Sequence, residues 1–190
     1  MKFSECSDAQ FFDPATFLCA TEEMLRNVLP ENGAHAAAAL RTRAGREVEE
    51  DRRCAILCYG LAVASGAAFH FCNLERSDYD YVLAVQRDNI SGLIPLQMKQ
   101  LVPSSVNLRT SLQSEIDKLK RKYPTSSDLC VAIHINRLVR VAPKELDLAG
   151  LKIGELWLFG VEDHSERRWR IIGNLMNEHC GSFTYTLPAA

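Results

Sequence analysis

The chain has 190 residues, 47% of them apolar and 24% charged, with a formal net charge of −2. That length suits one domain with a sizeable core, and the slight negative charge excludes a protein that coats nucleic acid through bulk charge, while leaving room for a local basic groove. No apolar run approaches the ~20 residues that span a bilayer, and Met1-Lys2-Phe3-Ser4-Glu5-Cys6 lacks the basic-then-apolar pattern of a secretory signal, so the expectation is a cytoplasmic protein with no membrane partner.

In chain order, residues 1–32 read as an irregular lead-in holding one short helix, with Thr21 as its cap and Pro30-Glu31-Asn32-Gly33 as its stop. Residues 34–40 and 47–64 read as two helices jointed at Thr42-Arg43-Ala44-Gly45. In the second, Glu50, Cys54, Leu57 and Leu61 recur at helical spacing and share one face. The period then changes. Strands are expected over 68–72, 80–86 and 93–102, the last two joined by a turn at Asp88-Asn89-Ile90-Ser91-Gly92. Residues 107–123 predict an amphipathic helix with the stripe Leu108, Leu112, Ile116 and Leu119. Further strands are expected over 128–135, 155–161 and 182–187, with a polar segment over 162–170. The order helix, three strands, helix, strand describes one α/β domain over 1–190: a mixed central sheet flanked by helices, a core at 47–136 and a C-terminal extension at 150–190.

The seven cysteines are scattered, none forms Cys-x-x-Cys, and buried free thiols are the expected reading. No phosphate-binding Gly-x-x-x-x-Gly-Lys loop, Rossmann fingerprint or His-Glu-x-x-His motif is present.

One constellation carries chemistry. Side chains alternate along a strand, so Gln97 and Lys99 point to one side and Leu96 and Met98 to the other. Pairing the two hairpin strands brings Asp80 beside Gln97 and Lys99. A carboxylate, an amide oxygen and a backbone carbonyl can hold Mg²⁺ or Mn²⁺, hard ions that prefer oxygen, while a lysine neutralises charge on a phosphate.

Ser77-Asp78-Tyr79-Asp80-Tyr81-Val82-Leu83, a polar turn, then Leu93-Ile94-Pro95-Leu96-Gln97-Met98-Lys99 resembles the PD-(D/E)xK, or restriction-endonuclease-like, superfamily. The resemblance spans residues 47–136 and implies the αβββαβ core of that fold. It implies a Mg²⁺- or Mn²⁺-dependent endonuclease that hydrolyses phosphodiester bonds in DNA, with RNA second, and it allows a homodimer. On matching positions Asp80 is the metal-binding aspartate, with Asp78 in reserve, Gln97 stands at the acidic-motif position, and Lys99 is the motif lysine. Glu50 takes the accessory acidic role of some members. Gln97 departs from the usual acid and leaves one fewer negative charge for a metal, so a catalytically inactive module for protein interaction or nucleic-acid binding is the alternative.

Other residues have two readings. Glu47, Glu49 and Glu50 sit early in a helix, where acids also suit the helix dipole. Lys118, Arg121 and Lys122, with Lys120, could grip a phosphate backbone or solvate a helix face. Arg167 and Arg168, with Trp169 and Arg170, combine guanidinium groups with a ring that could stack on a base, although Trp169 is the better candidate for a core anchor. His134 and Asn136 alternate on a strand and could approach a site, although a structural histidine is the better reading, and the adjacent His179-Cys180 lacks an orienting third group.

Overall fold

The computed structural model describes residues 6, 8–28, 42–163 and 165–189. The expected stop at 30–33 and the alanine-rich stretch at 34–40 lie outside them. The first described helix, α1 (Pro14–Val28), starts seven residues before Thr21. Its cap is Asp13, whose Oδ1 accepts from the backbone N–H of Thr16 at 2.7 Å, with Pro14 filling the first helical position, where no N–H is needed. Thr21 instead lies inside the helix, its hydroxyl donating back to the carbonyl of Phe17 at 2.9 Å.

Helix α2 (Arg43–Ser65) begins at the expected joint: Thr42 is its cap, accepting from Gly45 N at 3.0 Å, and Gly66 ends it in the left-handed conformation at φ 70°. Five consecutive residues, Cys54 to Cys58, have no exposure at all, because α2 lies between the sheet and α1. A helix covered on both sides must be apolar all round at its middle.

Seven strands then form one sheet in sequence order: β1 (Ala68–Asn73), β2 (Tyr81–Arg87), β3 (Ile90–Leu101), β4 (Ser126–Ile135), β5 (Ile153–Val161), β6 (Arg168–Gly173) and β7 (Gly181–Thr186). The pairs β3·β4 and β4·β5 are parallel and the other four antiparallel, so the sheet is mixed. The β2–β3 hairpin closes on two residues, Asp88-Asn89, rather than five, with Asp88 at φ 53°, the backbone sign such tight turns require. Helix α3 (Leu112–Lys122) carries the chain from β3 to β4. It starts five residues later than expected because Ser111 and Ser114 form a reciprocal capping box. Leu108 is therefore outside the apolar stripe and 81% exposed.

The two faces carry separate cores. Leu83, Leu96, Cys130, Ala132 and Phe159 pack towards α1 and α2; Leu101, Val131, Ile133, Leu156 and Leu158 pack towards α3. Alternation along each strand produces this division. α2 approaches β6 and β7 closely at Gly60, where a Cβ would stand 2.4 Å from the Tyr185 ring; the Tyr185 hydroxyl donates to the carbonyl of Ile56 at 2.8 Å.

The polar segment expected over 162–170 becomes partly strand, since Arg168-Trp169-Arg170-Ile171 alternates exposed and buried. Trp169 is the core anchor, 4% exposed, its indole N–H donating to Glu166 O at 2.9 Å. None of the seven cysteines forms a disulfide, and five are buried. No helix among the described residues is long and apolar enough to cross a membrane.

Candidate phosphoryl-transfer site

The site is built where two strands part. Tyr81 pairs with Leu96, and Asp80 N donates to Leu96 O at 3.0 Å as the last rung between β2 and β3. Beyond it β3 runs on to Leu101 with, among the described residues, only β4 beside it. The Asp80 side chain takes over from the departed strand: its Oδ2 accepts the Met98 backbone N–H at 2.9 Å. A buried or half-buried N–H needs a partner, and here a carboxylate supplies it.

Gln97, Lys99 and Leu101 face α3, and Leu96 and Met98 face α2, as strand parity requires. The uncovered edge of β3 lets both faces meet in a cleft of about 300 Å³ lined by Glu50, Arg53, Asp80, Met98, Lys99 and Gln100, with Tyr81 beside them. Glu50 reaches it from the first half of α2. Sequence reasoning had grouped Asp80, Lys99 and Glu50, and all three line this one cleft. Asp78 does not; it is exposed in the turn before β2.

Gln97 is 3% exposed and lies under the cleft rather than on its wall. Its Oε1 accepts from the Tyr123 hydroxyl at 2.6 Å and from the Lys122 ammonium at 3.3 Å, while its Nε2 donates to Asp80 Oδ2. Lys122 fixes this orientation, because an ammonium can only donate and would oppose the amide NH₂. The amide oxygen is thus held at α3, and the side-chain group that meets Asp80 is a donor.

Burial, and then the neighbouring Lys122, lower the Lys99 pKa; Asp80 and Glu115 act in the opposite direction. Lys99 is half-buried and shares the cleft lining with Asp80 and Glu50. Asp51, next to Glu50, fastens α2 to the strands: its Oδ1 accepts from Asn73 and from the Tyr81 hydroxyl, each at 2.9 Å. Burial pushes its carboxyl up against the pull of those two bonds.

Asp51, Arg53, Gln100 and Tyr123 escaped the sequence reading. Arg53 bonds Gln100 Oε1 at 3.3 Å and pairs with Glu49 at 3.5 Å, which adds a guanidinium to the cleft wall. The available signal was helical spacing, since Arg53 follows Glu50 by three positions and Glu49 by four. Tyr123 gave no such signal, because its partner is distant in sequence.

The expected phosphate-gripping residues divide. Lys118 pairs with Glu115 at 2.6 Å; Arg121 is exposed; Lys122 adjoins Gln97 and sits 4.8 Å from the centre of the Tyr123 ring. Arg167 binds both oxygens of Glu22 at 2.9 and 2.8 Å and the carbonyls of Leu187 and Pro188 at 3.1 and 2.8 Å, tying β6 to α1 and the chain end. Arg168 pairs with Glu162 at 3.3 Å. Both arginines lie on or beside β6, three strands from β3. His134 is buried against Phe159 and Trp169, and neither it nor Asn136 lines the cleft.

Among the described residues no three His, Cys, Asp or Glu side chains gather closely enough to hold an ion together. Magnesium is commonly held by one or two carboxylates and keeps its waters, so Glu50 and Asp80 fit a water-rich ion and not a closed cage. The chain matches no protein-family model, no curated protein and no solved structure.

Proposed function

We propose that the chain is a Mg²⁺- or Mn²⁺-dependent nuclease that hydrolyses phosphodiester bonds, in DNA before RNA. The observation that carries this reading is the convergence of Glu50 from α2, Asp80 from the start of β2 and Lys99 from β3 on one cleft at the free edge of β3. The run α2-β1-β2-β3-α3-β4, an antiparallel meander followed by a parallel crossover, supports the restriction-endonuclease-like core that the motif implies.

Asp80 and Glu50 would hold the ion, with Asp80 fixed by Met98 N and Gln97 Nε2. When bound, the ion supplies Lewis acidity to the phosphate and acidity to the attacking water. Lys99 would stand against the phosphate oxygens as charge develops on them, held beside Asp80 on a rigid strand. Gln97 would act by orienting Asp80 rather than by binding the metal, given where its oxygen points.

Incubating the protein with plasmid, single-stranded DNA and RNA, each with Mg²⁺ and with Mn²⁺, tests the reading. Lys99→Ala is expected to slow cleavage by at least about a hundredfold, the scale of losing one charge stabiliser. A variant that nicks as fast as the parent removes the assignment.

The orientation of Gln97 favours a second reading, a non-catalytic module on the same fold. Calorimetric titration with Mg²⁺ and Mn²⁺ separates the two: binding abolished by Asp80→Ala supports the nuclease, and no binding supports the module.

A further inference from the structure

The sheet curls far enough for its first and last strands to share a cavity. Phe69 of β1 and Phe183 of β7 both line an open pocket of about 490 Å³. Leu61 and Ala64 at the end of α2 form part of its wall, whereas Arg53 lines the cleft; eleven helical residues put roughly 16 Å between the two places.

Its chemistry differs from that of the cleft. The walls are apolar and aromatic, with Phe69, Trp157 and Phe183 contributing three rings. Among the described residues Glu155 is the one charged side chain of the lining, and no lysine, arginine or histidine accompanies it there. Its Oε2 accepts the indole N–H of Trp157 at 2.6 Å, and the buried Cys130 is its neighbour on the adjoining strand. A neutral donor steadies this carboxylate, and no ion pair among the described residues includes it. A half-buried acid without a counter-charge, bordered by aromatic rings, suits an ammonium group on an apolar body. The carboxylate supplies the charge-assisted bond, and ring faces attract cations. The volume falls in the range of small-molecule pockets. A bare metal ion has one carboxylate and apolar walls to meet, which is a poor donor set.

We infer that this cavity binds a small organic cation, its ammonium on Glu155 and its apolar body among Phe69, Trp157 and Phe183. The site is independent of the nuclease reading, and Lys99→Ala is expected to leave it unchanged.

Titrating the full chain with phenethylammonium, read by tryptophan fluorescence, tests the inference. Saturable binding is expected, with 3-phenylpropionate, of similar shape and opposite charge, at least tenfold weaker. Glu155→Gln keeps the shape and is expected to lose about tenfold for the cation while narrowing the difference between the two probes. Phe183→Ala, on the rim, is expected to weaken the cation severalfold, and this variant serves if Glu155→Gln fails to fold. Equal affinity for the two probes, no saturation by about 10 mM, or unchanged binding in Glu155→Gln overturns the proposal.

Discussion

The cleft beside β3 and the arginine cluster on β6 both gather charged side chains, the first from three separate segments and the second from one short run. In the fold they differ in what their charges touch. Arg167 has four protein acceptors, from α1 and from the chain end, and Arg168 and Arg170 share Glu162. Trp169 between them is buried, and His134 packs against it with ring centres 5.6 Å apart. At β3 no strand among the described residues covers the edge beyond Leu96, and Glu50, Asp80 and Lys99 line a cleft there. Charge density alone does not mark a functional region; polar groups held in place and still facing solvent do.

If the β6 region is a closed structural unit, acid should open it. His134 is buried, its Nδ1 has no hydrogen-bond partner among the described residues, and its pKa is lowered to about 4 by burial and then by Arg53 and Arg52. An unfolded histidine takes up its proton near 6.5. The unfolded chain therefore binds more protons between these values: stability is full above about pH 6.5, falls as pH drops, and levels off below about 4. The integrated loss is about 3 kcal/mol. His134→Phe keeps a ring on Phe159 and Trp169 and is expected to remove that loss. Urea midpoints at pH 7.5 and 4.5 check it, and a variant as acid-sensitive as the parent refutes it.

What the sequence made legible follows from which interactions are local. The strand order, the hairpin and the grouping of Asp80 with Lys99 depend on period-two alternation and a short turn, both written in neighbouring residues. Glu50 was found because helical spacing put it in line with Cys54, Leu57 and Leu61. The start of α1 was missed although Asp13-Pro14 is a local signal, because Thr21 ahead of two glutamates offered a competing cap. β6 was missed because three arginines in four residues masked the alternation around Trp169. Tyr123 and the direction of the Gln97 amide depend on α3 folding back over β3, and no local pattern reports that.

Arg167 gives the second test of the comparison. Arg167→Ala removes a bidentate ion pair and two bonds to backbone carbonyls, and its side chain is one-third exposed, which moderates the effect. A destabilisation of about 2 kcal/mol is expected in denaturant melts, with DNA affinity changed less than twofold. Lower DNA affinity at unchanged stability would reverse the assignment and make β6 the interface.

Tyr123 gives the smallest effect and sharpens the comparison most, because it asks whether the cleft is as firmly held as the β6 region. Its hydroxyl donates to Gln97 Oε1 at 2.6 Å, deep under the cleft, and only the longer Lys122 contact shares that oxygen. Tyr123→Phe is expected to cost about 1 kcal/mol, the usual net value of one hydrogen bond. Lys122 still donates to Oε1 and Asp80 still accepts from Nε2, so the amide keeps its orientation without the tyrosine hydroxyl. The Mg²⁺ dissociation constant of the proposed site, measured by calorimetry, should change by less than about threefold while the fold weakens. A large loss of metal affinity would mean instead that the Tyr123 bond is what holds Gln97, and through it Asp80, in place.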